Sequence, residues 1–191
     1  MSKSLKELSL EELWELFPIL LKPYNADYPF WYSEEEKTIK HLLKAFHVQR
    51  INHIGSTAIP HCLSKPCIDI LVECDLNADI DAAAKQLEDN GWLIMHHEEK
   101  TYVLNKGYTE KGFAEKVFHC HLRFYDDWHE LYFRDYLLDN PKVVVDYENL
   151  KNELSKRFKF HRDNYTQAKT SFIQMHTEIA KERYKDRYLP R

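Results

Sequence analysis

The sequence predicts an α+β fold: a β-sheet flanked by helices, with a helical C-terminal half, in one domain over residues 1–191. Three observations predict it. Between Gln49 and Phe124 the apolar residues recur mostly at every second position, the period of a strand. Before and after that stretch they recur every three to four positions, the period of a helix. Only 4 glycines occur in 191 residues, which excludes long flexible linkers and a repeated glycine-rich dinucleotide loop.

The elements follow in order. Ser9-Leu10-Glu11-Glu12 has the form of a capping box opening a helix, with Leu10, Leu13, Trp14 and Phe17 on one face and Pro18 limiting it. Leu20–Tyr28, with Pro23, Asn25 and Asp27, and the following Pro29 give a turn-rich connection. A second helix is expected from about Ser33, where Glu34–Glu36 suit the first turn, and its apolar stripe is Ile39, Leu42, Leu43 and Phe46. Arg50–Ile54 reads as a strand ending in the Gly55-Ser56 turn, and Ile68–Cys74 as a second strand rich in β-branched residues. Ile80–Asn90 is a helix stopped by Gly91. Trp92–Met95, Tyr102–Leu104 and Val117–Phe124 are three more strands. Helices are then expected over Trp128–Leu138, stopped by Asn140-Pro141, and over Lys142–His161 and Tyr165–Tyr184.

The chemistry concentrates around the first two strands. Small residues in a turn after a strand let backbone N–H groups approach phosphate oxygens, and a serine adds a hydroxyl donor. Gly55, Ser56 and Thr57 have these properties, and Lys65, in the loop to the next strand, supplies positive charge for a phosphate. Asp69, an acid inside an apolar strand, is the candidate ligand for a divalent cation. Alternation places Asp69 and Leu71 on the face opposite Ile68, Ile70 and Val72, and puts Glu73 on the Asp69 face. His119 and His121 share one face of a later strand and are candidate metal or phosphate ligands. Arg123, on the same face, is a candidate for contact with an anionic substrate. Arg134, Asp135 and Lys169 read more simply as ion-pairing residues of the helical half, and Arg134 and its neighbour Asp135 are expected to point apart.

His53-Ile54-Gly55-Ser56-Thr57-Ala58-Ile59-Pro60, followed by Lys65-Pro66-Cys67-Ile68-Asp69-Ile70, resembles the signature of the GrpB family (UPF0157). Phe118–Leu122, Tyr132–Leu137 and Asn164–Lys169 resemble further segments of that family, so the likeness spans roughly residues 24–184. The resemblance implies a nucleotidyltransferase-like fold, with a mixed β-sheet flanked by helices. In a catalytic version Asp69 and Ser56 carry the reaction, Gly55 and Ser56 hold phosphates, and Asp69, His119 and His121 hold a divalent metal, magnesium or manganese, with no organic cofactor. The partner implied is a nucleotide or another phosphorylated small molecule, and the reaction transfer of a nucleotidyl group to an acceptor. Two departures bear on this. Where the family has Pro-Gly-Leu this chain has Pro60-His61-Cys62-Leu63, and where active nucleotidyltransferases carry a second acid it has Leu71. The alternative is therefore a non-catalytic module that binds nucleotide or phosphometabolite and lacks the second metal carboxylate.

Bulk properties narrow the partners. A formal net charge of −4 gives no overall pull toward nucleic acid, so phosphate binding has to be local. The late cluster Arg183, Tyr184, Arg187 and Tyr188 reads as packing before it reads as a stacking surface. Cys62, Cys67, Cys74 and Cys120 have neither disulfide nor zinc-finger spacing and read as reduced, buried thiols. No apolar run reaches the ~20 residues of a membrane span, and Met1–Glu7 lacks the apolar core of a leader, so a cytoplasmic protein is expected.

Overall fold

The structure, a computed structural model, describes residues 5–190. Met1–Ser4, on which part of the leader argument rests, lie outside the described residues. Helix α1, Leu10–Leu16, opens on a complete capping box: Ser9 Oγ accepts from the Glu12 N–H and the Glu12 carboxylate accepts from the Ser9 N–H. Helix α2 spans Tyr28–Leu42 and starts five residues before the expected Ser33. The reason is Pro29, which sits in the first turn, where a missing N–H costs nothing and the fixed φ already suits a helix.

Five strands form one mixed sheet in the order β1-β2-β5-β4-β3. They are β1 Val48–Ile54, β2 Ile68–Cys74, β3 Leu93–Glu98, β4 Thr101–Thr109 and β5 Gly112–Phe124. β2 and β5 run parallel, and the other neighbours are antiparallel. The crossover between β2 and β5 carries helix α3, Ile80–Glu88. β4 and β5 are longer than the sequence suggests because they form a hairpin through Thr109–Gly112, with Gly112 at φ 102°.

One sheet face is closed by α2 and α3. Ile68, Ile70, Val72, Leu104, Cys120 and Leu122 pack there against Ile39, Leu43, Ala83 and Leu87, all but free of solvent. The opposite face carries Asp69, Leu71 and Glu73 beside His119, His121 and Arg123, because the parallel register pairs these residues one to one. Helices from the C-terminal half cover this second face: α4 His129–Asp139, α5 Pro141–Arg157, α6 Arg162–Gln167 and α7 Thr170–Tyr184. The single helix expected over Tyr165–Tyr184 is two, broken at Ala168-Lys169, and α5 ends at Arg157, four residues before His161. Leu71 packs between Ile54 and Leu131, which fixes α4 on this face. Among the described residues, no helix is long and apolar enough to cross a membrane.

The late aromatic and basic residues are spent on packing. Tyr184 Oη donates to Asp139 at 2.5 Å, Arg187 pairs with Asp135 at 2.7 Å and lies 4.1 Å over the Tyr184 ring, and Tyr188 Oη donates to Asp135 at 2.5 Å. Arg134 and Asp135, expected to diverge, form a hydrogen-bonded pair at 2.9 Å. The Arg134 Nε donates to Asp135, while its other nitrogens reach Asn52, the His53 carbonyl and Tyr188.

Candidate functional site

The Gly55 turn, the start of β2, the middle of β5, helices α5 and α6 and the break after α6 enclose a cleft of about 390 Å³. Its floor is the sheet face bearing Asp69. Gly55 has φ 69°, a left-handed conformation that glycine adopts freely. A Cβ at Gly55 would fall on the Asp69 carboxylate, so the residue also has to be glycine for the turn to lie over the acid. Ser56 follows in a 3-10 turn, Ser56–Ala58, and its Oγ accepts a hydrogen bond from Lys151 Nζ at 3.1 Å. Thr57 is buried: its hydroxyl donates to the Cys67 carbonyl at 3.2 Å and lies 3.0 Å from His53 Nε2. That hydroxyl therefore braces the two ends of the loop against each other.

A chain of polar contacts leads to Asp69. Arg162 Nη2 donates to Tyr108 Oη at 3.0 Å, Tyr108 Oη lies 2.7 Å from His119 Nε2, and His119 Nδ1 lies 3.3 Å from Asp69 Oδ1. The network assigns the protons: with Asp69 ionised, His119 donates from Nδ1 and accepts the Tyr108 proton at Nε2. Burial would raise the Asp69 carboxyl, but the His119 hydrogen bond, the charge that His119 and His121 gain once protonated at low pH, and Lys65 bring it down to about 2. Burial, outweighing Asp69, lowers the pKa of His119 and brings His121 to about 4, so both imidazoles are neutral near pH 7.

Cationic side chains face this floor from the loop before β2, from α5 and α6, and from the break between α6 and α7. Lys65, Lys151, Arg162 and Lys169 line the cleft with Asp69 and Asp163. Lys151 is 2% exposed, bonds the Leu63 carbonyl, and lies 3.2 Å from Cys62 Sγ. Burial and the nearby charge of Lys65 push Lys169 down to about 7, against the pull of Asp69. Burial, then Arg162, lowers Lys65 as well.

Of the residues marked from the sequence, Gly55, Ser56, Thr57, Lys65, Asp69, His119 and His121 all line this cleft. Arg123 does not line it. Its guanidinium bonds Glu130 at 2.9 Å and lies 4.4 Å over the Trp128 ring, held by α4 against the end of the sheet. Lys169, read from sequence as an ion-pairing residue, lines the cleft instead. Sequence reasoning passed over Lys151, Arg162, Tyr108 and Cys67. The helical lysine and arginine carry no local signal, since only the packing of α5 and α6 turns them inward. Cys67 had one: it lies two residues before Asp69 and so shares its strand face.

A two-magnesium centre does not fit these residues. Such a centre needs several carboxylates. Leu71, at the position of the second acid, is fully buried among Ile54 and Leu131. Glu73, the nearest substitute, is fully buried and paired with Arg50 through contacts of 2.5 and 2.7 Å. Among the described residues, the donor atoms that do cluster belong to Cys67, Asp69 and His119 and lie within 4.8 Å of one another; His121 lines the cleft outside that group.

The mixed sheet with one central acid under a glycine-serine turn is a nucleotidyltransferase-like fold. A structure of a Cid1 poly(U) polymerase mutant bound to MgATP shares it at a TM-score of 0.50 and 12% identity, covering 78% of this chain and 46% of that one. The chain belongs to the GrpB family, whose sequence model (GrpB protein) matches residues 18–178. A conserved protein GrpB from Enterococcus faecalis has a crystal structure similar at a TM-score of 0.75 and 26% identity, covering 86% of this chain and 99% of that one. The glutamate-rich protein GrpB of Alkalihalophilus pseudofirmus is 30% identical over 148 residues, 73% of this chain and 83% of that protein. UPF0157 protein YqkA of Bacillus subtilis is 28% identical over 179 residues, 91% of this chain; the chain spans 50% of YqkA's length.

Proposed function

We propose that this cleft binds the phosphate groups of a nucleotide or another phosphorylated small molecule, and that binding is its primary task. The observation that supports this reading most is the convergence of Lys65, Lys151, Arg162 and Lys169 on one cleft whose lining acids are Asp69 and Asp163. Besides burial, the charge of Arg162 lowers Lys65, and the charges of Lys65 and Lys151 lower Lys169; a polyanion relieves that repulsion. Gly55 and Ser56 supply a close approach for phosphate oxygens, and the neutral His119 and His121 add ring nitrogens at the floor. Four free, buried cysteines suit a reducing compartment such as the cytoplasm.

Transfer of a nucleotidyl group to an acceptor is the second reading, favoured by Asp69 lying beneath the Gly55 turn. Calorimetric titration with ATP and with inorganic tripolyphosphate, each with and without magnesium, tests both. Lys169→Met and Arg162→Met are expected to weaken metal-free binding at least about tenfold, since each removes a charge-assisted contact of roughly 1.5–3 kcal/mol. Asp69→Asn is expected to bind tripolyphosphate more tightly without metal, because a repelling carboxylate is removed. Heat of binding absent with every phosphate compound would overturn the binding reading. Pyrophosphate release from ATP that vanishes in Asp69→Asn would establish the second.

A further inference from the structure

We infer that Cys67, Asp69 and His119 form a binding site for one divalent cation of borderline softness, zinc or cobalt in preference to magnesium, with an open position facing the cleft. This deepens the reading of the cleft as a phosphate site, and a test with metal alone separates the two.

The three donors come from adjacent positions for simple reasons. Cys67 immediately precedes β2, two residues before Asp69 and on the same side of the chain, and His119 is the register partner of Asp69 on β5. Their donor atoms lie within 4.8 Å of one another, and the Asp69 Oδ1 to His119 Nδ1 separation is 3.3 Å. Around a tetrahedral zinc with bonds of about 2.0–2.1 Å to nitrogen and oxygen, those two donors sit about 3.3 Å apart. The observed separation needs no rearrangement to reach that geometry.

The donor set selects the metal. A thiolate and an imidazole suit zinc or cobalt, whereas magnesium requires oxygen ligands in an octahedron. Three protein ligands with a fourth direction left open is the arrangement of zinc sites that engage a water or substrate oxygen. All three donor residues line the cleft where Lys65, Arg162 and Lys169 gather, so a fourth position would open onto it. The surroundings of His119 also match. A metal-bound histidine donates its other N–H to a partner that fixes its orientation. Tyr108 Oη stands 2.7 Å from Nε2, itself oriented by Arg162 at 3.0 Å. When Nδ1 takes the cation, the ring proton moves to Nε2 and points at Tyr108; the Cys67 thiol proton leaves to solvent, giving one proton released per ion.

The full chain titrated with cobalt(II) tests this. The expected result is one equivalent bound, with a sulfur-to-cobalt charge-transfer band in the near ultraviolet, displaced by zinc but not by a hundredfold excess of magnesium. Cys67→Ser should abolish the band, and Cys62→Ser should keep it. Tyr108→Phe should keep the band while weakening affinity about 10–100-fold. Should Cys67→Ser fail to fold, His119→Gln is expected to lose the tetrahedral visible bands of cobalt in its place. A wild-type chain without a charge-transfer band, or a folded Cys67→Ser that keeps it, overturns the inference. Neither result touches tripolyphosphate binding measured without metal, so the two proposals fail separately.

Discussion

Gly55 shows how one residue can set a site. Its φ of 69° and the Asp69 carboxylate lying where a side chain would begin make two independent demands, and only glycine meets both. Gly55→Ala is therefore expected to cost about 1–3 kcal/mol from backbone strain alone, and more from displacement of Asp69. The melting temperature should fall by several degrees and the affinity for tripolyphosphate should change with it. An alanine variant with the wild-type melting point and affinity would show that the turn does not need this geometry. Asp69 and Gly55 were legible in the sequence as a pair because strand alternation and turn chemistry are local rules. Cys67 is also local, yet judging cysteines by their spacing from other cysteines hid its place on the Asp69 face. Lys151 and Lys169 were not legible as cleft residues, since their helices read as ordinary charged surfaces until packing buries one side.

At the scale of elements, β2 carries two acids with opposite fates. Asp69 faces the cleft, while Glu73, four residues on and on the same face, is closed over by Arg50 and the Asp126 N–H. Arg50 also lies 4.7 Å over the ring of Tyr125, so the pair is walled by aromatics. Glu73 is fully buried, and removing one partner of a buried pair strands the other charge. Glu73→Gln should lower stability by about 3–5 kcal/mol, read in urea unfolding, whereas the double variant Arg50→Met/Glu73→Leu should recover much of the loss. Tripolyphosphate affinity of the folded single variant is expected to remain at the wild-type level, because Glu73 does not line the cleft. A large loss of affinity without loss of stability would return Glu73 to the list of ligands. The sequence placed Glu73 on the right face but could not say that Arg50 on β1 would claim it, because strand order is a tertiary decision.

At the scale of the whole molecule, three imidazoles are held neutral on the two faces of the sheet: His119 and His121 on the Asp69 face, and His53, the register partner of Ile70, on the other. Burial lowers His53 and His121 to about 4 each and lowers His119 too. In the unfolded chain these groups titrate near 6.5, so between pH 6.5 and 4 the unfolded state binds more protons. Stability is therefore expected to fall as pH drops through that window, with His53 and His121 together contributing about two protons to the slope. Urea midpoints between pH 7 and 4 would measure it, and His121→Gln should flatten the curve. A midpoint constant across that range would mean that these rings take up protons in the folded chain at the same pH as in the unfolded one. The sequence by itself determined the α+β class, the helix and strand periods, the Gly55-Ser56 turn and the face on which Asp69 lies. Each depends on contacts within a few residues, where sterics and periodicity are decisive. Only the tertiary structure decided that α5 and α6 bring Lys151 and Arg162 to the cleft, that Glu73 is consumed by Arg50, and that Cys67 joins Asp69 and His119. Those outcomes join residues far apart in the chain, and no local rule assigns them until the sheet order and the packing of the helices fix who meets whom.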